Sequence, residues 1–283
     1  MKEEVTVIVP TYNAGNEFKE FCKMLQKQTA NIKEVIVVDS SSADDTVRVA
    51  QHAGFTVKVI DQCEFGHGKT RQMALEMTET NIVCFMTQDA LLAEEDSIEK
   101  LIAFLLRDDS LGAVYGRQLP YPHTGALGAF ARIYNYPKTS FINCFEDRKT
   151  KGIKTAFLSD TFAAYKKDIL LAVGGFPLYS NFGEDSYVAA KMLMSGYKTG
   201  YCAEAQVYHA HDYTLRQEWE RSKEIKKFHE SEAWLLKTFG KPEGEGLKFV
   251  LQQLKYLAHD GFWSMIPVAI LQDMVKYIGY KAG

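Results

Sequence analysis

The sequence predicts an α/β protein with a doubly wound, mostly parallel sheet, followed by a helical C-terminal extension. Two observations carry this prediction. Apolar runs of strand length alternate with amphipathic segments of helix length over residues 5–87. Polar or charged residues follow each apolar run directly, as they do at the carboxyl edge of such a sheet, where ligands bind.

The first half of the chain supplies strands and helices in strict alternation. Continuous apolar runs are typical of parallel strands that are buried on both faces. The first helix has apolar residues at helical spacing, and the second ends at a glycine. The predicted elements are a strand over 5–10, a helix over 17–28, a strand over 34–40, a capped helix ending at Gly54, a strand over 56–61, a helix over 69–77 and a strand over 81–87.

The second half is less regular. Residues 116–155 are rich in aromatic residues and proline and show little periodicity, and a strand and a helix over about 166–173 follow. "EDSYVAAKMLMSG" predicts a capped helix, "KTGYCAEAQVYH" a strand, and the chain from Leu215 onward is helical in pattern. We therefore expect a catalytic domain over 1–214, with halves 1–115 and 116–214, and a helical extension over 215–283.

Composition excludes several classes of protein. The formal net charge of -3 is not the basic excess of a nucleic-acid-binding protein, so no nucleic-acid partner is expected. Five scattered cysteines without a CxxC pair indicate neither a zinc site nor a disulfide framework. The N-terminal segment does not read as a signal peptide, and no apolar run is long enough to span a bilayer. These features predict a protein of the reducing cytoplasm.

Two polar segments follow the first two strands. In "PTYN", Pro10 and Asn13 taken alone favour a strand end and a simple turn over a ligand loop. In "VVDSSSADD", Asp39 is placed to accept two hydroxyls of a ribose or the edge of a base, since a carboxylate has two acceptor oxygens. An Asp39 that starts the loop, with Asp44 capping the next helix, explains the same pattern equally well.

The segment "EFGHGKTR" ends like a phosphate-binding P-loop but lacks the required earlier glycine, because Cys63 occupies that position. It still opens a helix with glycines and basic residues, which favours an anion at the helix N-terminus over a solvated basic loop.

Two further segments carry titratable groups. Glu184 and Asp185 begin a helix, where the macrodipole alone would explain two acids; the functional alternative is a general base. His209 and His211 fall on the same side of a predicted extended strand, a spacing that can ligate a divalent ion.

Taken together, "VIVPTYN", "VIVVDSSSADDT", "GGF", "FGEDSYVAAKML" and "VYHAH" resemble, in this order, the motifs of glycosyltransferase family two, whose members are inverting enzymes with the GT-A fold. The resemblance covers roughly residues 5–215. "FGHGKTR" and "FMTQDA" resemble the branch of rhamnosyltransferases that use dTDP-L-rhamnose. The resemblance implies a nucleotide-sugar donor, a glycan or lipid-linked acceptor and a divalent metal, Mg²⁺ or Mn²⁺.

The resemblance also implies a role for particular residues. Asp185 matches the catalytic base, with Glu184 beside it as the alternative. Asp89 matches the last acid of the metal-binding DxD signature, and His209 matches a later metal ligand, with His211 nearby. The residues implied to line the nucleotide-sugar are Pro10, Thr11, Tyr12, Asn13, Asp39, Ser41, His67, Thr70, Arg71, Gln88 and Asp89.

The chain departs from the family signature at one position, because Thr87 replaces the first acid of DxD. Magnesium commonly takes only one or two protein carboxylates, so one acid, a histidine and phosphate oxygens can still hold it. We expect weak metal affinity without substrate.

The C-terminal extension has two interpretations. Its last segment mixes Trp263, Tyr277 and Tyr280 with aliphatic residues and lysines, which suits peripheral contact with the inner face of a membrane. Packing on the catalytic domain or on a second copy in a homo-oligomer explains it equally well.

Two other functions compete with an inverting rhamnosyltransferase of cell-surface polysaccharide assembly. A transferase of the same family could use a UDP-sugar donor, and a non-catalytic module could bind nucleotide-sugar or glycan. A sugar-phosphate nucleotidyltransferase is disfavoured, because "PTYNAGNEF" lacks the basic character of its glycine-rich loop.

Overall fold

The structure is a computed structural model that describes residues 3–179, 182–240 and 243–283. The described residues form nine strands that belong to one sheet. The strands are β1 (Val5–Thr11), β2 (Ile32–Asp39), β3 (Thr56–Val59), β4 (Ile82–Met86), β5 (Leu91–Leu92), β6 (Leu111–Leu119), β7 (Phe141–Asn143), β8 (Phe162–Lys166) and β9 (Lys198–Tyr208).

Helices connect the strands and make up most of the C-terminal part. Within the described ranges they are α1 (Phe18–Gln26), α2 (Thr46–His52), α3 (His67–Met77), α4 (Ser97–Leu105), α5 (Ala126–Asn135), α6 (Arg148–Lys151), α7 (Lys167–Ala172), α8 (Glu184–Met194), α9 (Leu215–Ser231), α10 (Ala233–Phe239), α11 (Glu243–His259) and α12 (Ile266–Ala282).

The sheet has a parallel half and an antiparallel half. Its strand order is β3-β2-β1-β4-β8-β6-β9-β5, with β7 also paired to β9. The strands β3, β2, β1 and β4 are parallel, as the alternation of strands and helices predicts. From β8 onward the described pairings are antiparallel, which the weak periodicity of the second half did not predict.

Strand β1 forms the centre of the parallel half and is buried on both faces. Val5, Val7 and Val9 belong to the main hydrophobic core, which also includes Phe18 of α1, whereas Ile8 is buried on the opposite face. A strand buried on both faces reads as the continuous apolar run seen in the sequence. This core fixes the strand ends that carry the predicted ligand residues.

Two boundaries differ from the predictions in ways that matter for function. Strand β3 ends at Val59, so Asp61 lies in the following segment rather than in the strand. Strand β9 ends at Tyr208, so His209 and His211 lie just beyond the strand that was predicted to carry them. Both histidines lie beyond the last residue that pairs in the sheet.

The chain divides into two compact units. The first contains residues 1–117, 138–146 and 156–209, and the second contains 118–137, 147–155 and 210–283. The second unit thus takes up two earlier segments besides the helices from α9 onward. The expected functional division at residue 214 stays a prediction. Within the described ranges, no helix has both the length and the apolar character required to cross a bilayer.

Candidate active site

The carboxyl ends of β1 and β2 are joined by a hydrogen-bonded acid. The Asp39 side chain is fully buried, and its Oδ2 accepts hydrogen bonds from Thr11 Oγ1 at 2.8 Å and from Ser42 Oγ at 2.6 Å. Its Oδ1 accepts from the Ser42 N–H at 2.8 Å. This is the geometry of an acid that anchors its loop, one of the two alternatives drawn from the sequence. The contact of Asp39 with a nucleotide stays a prediction.

The end of β1 is also bonded to the segment after β4. Gln88 Oε1 accepts from the Tyr12 N–H at 2.8 Å, and Gln88 Nε2 donates to the Tyr12 carbonyl at 3.1 Å. The Tyr12 ring is nearly half exposed, and Pro10 precedes it at the half-buried end of the strand. Gln88 therefore positions Tyr12 through its backbone, and the nucleotide contact predicted for Gln88 stays a prediction.

The loops after β1 and β2 interlock. Asn13 and Ser41 both adopt left-handed backbone conformations, with φ of 44° and 58°. Asn13 exchanges two hydrogen bonds with the other loop, accepting from the Ala43 N–H and donating its own N–H to Ser42 Oγ, each at 2.8 Å. Strained conformations of this kind persist only where the surroundings hold them, and they concentrate at functional sites.

Asp89 lies opposite His209. The chain turns directly after β4, with the Ala90 N–H donating to the Thr87 carbonyl, and this turn presents Asp89. Asp89 Oδ2 lies 3.5 Å from His209 Nε2; the Asp89 side chain is 40% exposed and that of His209 10%. The buried Thr87 Oγ1 has no hydrogen-bond partner.

A carboxylate oxygen and an imidazole nitrogen so close together fit a divalent cation, and the exposure of Asp89 leaves room for ligands from a substrate. His211 follows two residues later in the second unit, and its role as a metal ligand stays a prediction.

Helix α3 begins in close contact with another loop. A Cβ on Gly68 would lie 2.0 Å from the Pro177 carbonyl oxygen, so only glycine fits there. Thr70 is buried, with its N–H bonded to the Gly66 carbonyl, whereas His67 and Lys69 are exposed at the helix start. Of the basic residues in this motif, His67 and Lys69 are thus the ones open to an anion.

Arg71 belongs to a buried cluster of charges. Its Nη1 lies 3.0 Å from Glu184 Oε1, and its Nε lies 3.0 Å from Asp160 Oδ2, an ionic contact rather than an aligned hydrogen bond. All three side chains are at least nine-tenths buried. The guanidinium is thus engaged by protein carboxylates, which favours a positioning role for Arg71 over the predicted contact with the donor.

Asp185 follows Glu184 in the first turn of α8 and is partly exposed. Its Oδ1 accepts from the Ser186 N–H at 2.7 Å, and its Oδ2 lies 3.5 Å from the Asp160 N–H. Burial of the carboxyl and the nearby charges of Glu184 and Asp160 raise the pKa of Asp185 well above its usual range. A carboxylate with a raised pKa is a stronger base, which suits proton abstraction.

Asp160 is a site residue that the sequence interpretation missed. Its Oδ1 accepts a hydrogen bond from the buried Tyr165 hydroxyl at 2.5 Å. Burial raises the pKa of Asp160 to about 6, against the opposing pull of Arg71. "LSDTF" reads as a loop ahead of a strand, and a single acid there gives no periodic signal. The signal lies only in tertiary packing, which brings Asp160 beside Asp185.

Comparisons with known proteins now identify the class. Residues 6–174 match the family model described as glycosyl transferase family 2. The chain is 42% identical to the O-antigen chain rhamnosyltransferase WbaN of Salmonella anatum over 98% of this chain and 88% of that protein. It is 39% identical to the O-antigen chain rhamnosyltransferase RfbN of Salmonella typhimurium over 99% of this chain and 89% of that protein.

Comparison with solved structures supports the fold of this family. The mannosyltransferase PcManGT from Pyrobaculum calidifontis, solved with GDP-Man and Mn²⁺, aligns with a TM-score of 0.65 and 17% identity, covering 99% of this chain and 87% of that one. The protein is therefore a glycosyltransferase with a GT-A type α/β fold. It belongs to glycosyltransferase family 2.

Proposed function

We propose that this protein is an inverting rhamnosyltransferase that moves L-rhamnose from dTDP-β-L-rhamnose onto a glycan or lipid-linked acceptor in O-antigen assembly. The single observation that supports rhamnose as the transferred sugar is the 42% identity to an O-antigen chain rhamnosyltransferase along almost the whole chain. The motifs "FGHGKTR" and "FMTQDA" support the same donor, by resemblance to the dTDP-rhamnose branch.

In the proposed mechanism Asp185 is the general base. It takes the proton of the acceptor hydroxyl while the acceptor oxygen bonds to C1 of rhamnose. The bond between C1 and the diphosphate oxygen breaks on the opposite face, and dTDP leaves. A single displacement of this kind turns a β-configured donor into an α-linked rhamnoside. The raised pKa of Asp185 supports its role as proton acceptor.

Asp89 and His209 would hold Mg²⁺ or Mn²⁺, with His211 as a further candidate ligand. A metal held there would supply positive charge to stabilise the diphosphate that leaves. The rest of the donor site belongs to the protein itself: Tyr12 offers an exposed ring to the base, and the start of α3 offers His67 to the phosphates or the sugar.

The experiment that tests the function measures nucleoside diphosphate release from dTDP-L-rhamnose and from UDP- and GDP-sugars, each with and without an N-acetylglucosamine or rhamnose glycoside as acceptor. We expect acceptor-dependent release of dTDP that stops with chelator. Turnover of a UDP-sugar alone would overturn the rhamnose donor and leave a family-2 transferase. Donor binding without turnover on any acceptor would favour a binding module.

The metal ligands need a readout other than activity. Titration of Mn²⁺ in the presence of dTDP, followed by the electron paramagnetic resonance signal of free Mn²⁺, should show binding by the wild type and its loss in Asp89→Ala. Asp109→Ala is the matched control, because the Asp109 side chain is fully exposed and its ion pair with Lys166 Nζ is long at 3.9 Å. Equal Mn²⁺ binding by both variants would remove Asp89 from the metal site.

A further inference from the structure

Helix α12 is amphipathic in the reverse sense. A helix on the surface of a protein normally turns its apolar stripe inward and its polar face to solvent. In α12 the polar residue Gln272 is buried, whereas the aromatic residue Tyr277 is 65% exposed. This exposure of apolar residues extends along the helix, so it is a property of the whole helix face and not of one residue.

The inward side of α12 is held against α9 by polar and small residues. Gln272 Nε2 donates to the buried Glu218 Oε1 at 3.0 Å, and Tyr280 Oη lies 2.9 Å from His229 Nδ1. Gly279 allows a close approach of the two helices, since a Cβ there would lie 3.0 Å from the Trp219 carbonyl oxygen. These contacts fix the rotation of α12 about its own axis.

The opposite side forms a continuous apolar stripe. Its members recur every three or four residues and therefore share one face of the helix. Each apolar member is between 44% and 65% exposed. We call this stripe the outer face of α12; it consists of Ile270, Leu271, Met274, Tyr277 and Ile278, with Lys281 at its end.

The outer face itself carries positive charge only. Lys281 is exposed at its end. Asp273, the one acid of α12, is turned away, with its side chain 11% exposed and Lys276 Nζ 3.4 Å from it. The outer face, as defined by these residues, thus offers apolar groups and one cation but no carboxylate.

This charge pattern discriminates between two occupants. A second copy that packs with the same outer face would bring the same lysine and the same hidden acid, so Lys281 would meet no carboxylate from that face. The surface of a membrane with anionic headgroups supplies both an apolar layer and negative charge. Exposed aromatic residues such as Trp263 and Tyr277 are also typical of the headgroup level of a bilayer.

We propose that the outer face of α12 is an interfacial lipid-binding surface that seats the second unit on an anionic bilayer. The helix lies in the plane of the headgroups, with the apolar stripe directed into the acyl boundary and Lys281 at the level of the phosphates. The proposal stands apart from the identity of the donor sugar, because it concerns a face of the second unit and needs no substrate.

The test is flotation of the whole protein with vesicles of phosphatidylcholine alone and of phosphatidylcholine with phosphatidylglycerol. We expect binding that increases with phosphatidylglycerol and weakens at high salt. Leu271→Glu with Met274→Glu should reduce vesicle binding roughly tenfold or more. Leu106→Glu is the matched control, since Leu106 is 44% exposed in the first unit and should leave binding unchanged.

Met274→Trp keeps the experiment decisive if the double variant folds poorly, and it should bind vesicles more tightly than the wild type. Binding that is unaffected by these changes, or reduced equally by Leu106→Glu, would overturn the proposal. A second pair of results would also overturn the proposal: the wild type does not bind vesicles, and light scattering without lipid shows that it is a dimer whereas the double variant is a monomer. In that case the outer face is an interface between copies.

Discussion

Arg71 and Glu184 lie far apart in the sequence and form a buried ion pair, with Arg71 Nη1 3.0 Å from Glu184 Oε1. Since Glu184 begins α8 and Arg71 belongs to α3, the pair ties the helix that carries the proposed base to the helix that opens the proposed donor site. Asp160 completes the cluster on the other edge of the guanidinium.

Replacing Arg71 should therefore destabilise the protein. Arg71→Met leaves Asp160 and Glu184 buried without a cation, a change that typically costs about 3 to 5 kcal/mol. The loss of unfolding free energy should be larger at pH 8 than at pH 5, because protonation at pH 5 removes the negative charge of the carboxylates that have lost their cation. Urea unfolding at both pH values measures it. Arg48→Met, which breaks an exposed ion pair with Asp45, is the control and should change little. Wild-type stability in Arg71→Met would show that the cation does not hold the cluster.

Removing the proposed base should affect turnover rather than folding. Asp185→Asn should lower kcat by about 10² to 10⁴, the usual contribution of a general base, with a thermal midpoint near that of the wild type. Asp168→Asn serves as control, because Asp168 is also a first-turn acid but belongs to α7 and is exposed. If turnover survives in Asp185→Asn and disappears in a folded Glu184→Gln, the base is Glu184.

The pH dependence of kcat/KM should report the carboxyl cluster. A base works in its deprotonated form, so the raised pKa of Asp185 moves the acid limb of the profile above the ordinary aspartate value of about 3.9. Asp160→Asn removes one of the charges that raise this pKa and should shift the limb to lower pH. Because the carboxyls interact, the limb belongs to the group as a whole. A limb that stays in place in Asp160→Asn would separate Asp160 from the base.

Gly68 should tolerate no side chain. In Gly68→Ala the new methyl would lie 2.0 Å from the Pro177 carbonyl oxygen, so the start of α3 must move. We expect lower stability and a raised KM for the donor, measured by thermal unfolding and by initial rates. Gly246→Ala is the control: nothing lies within 4 Å of that position in α11, and alanine favours a helix there by up to about 1 kcal/mol. A Gly68→Ala enzyme with an unchanged KM would show that α3 can yield without cost to donor binding.

How much of the structure was predictable depends on the range of the interactions. Strands β1, β2 and β4 were predicted because their buried residues read as apolar runs. Strand β3 is largely exposed, and it ends at Val59, two residues before the predicted end. The antiparallel half was not, since pairings such as β4 with β8 join segments far apart in the sequence and leave no local pattern.

The same limit applies to the candidate site. Asp89 and His209 were singled out by resemblance, and the structure brings them to 3.5 Å, whereas Asp160 is a lone acid whose importance comes from its buried neighbours. The helical pattern of the C-terminal residues also does not say which side of α11 is buried: Leu257 is buried, whereas Leu247 and Leu251 are exposed. Burial is decided by what packs against the helix.

The paired hydrogen bonds between Gln88 and the Tyr12 backbone make the end of β1 and the turn after β4 mechanically one piece. Asp89 is the next residue in that turn. In the proposed site, a cation bound to Asp89 would also stiffen the segment that presents the Tyr12 ring. By thermodynamic reciprocity, if the cation strengthens the binding of a nucleotide base to that ring, the base would strengthen cation binding by the same factor. The base and the metal-bound diphosphate of a donor would thus bind cooperatively, with Gln88 as the link between their sites.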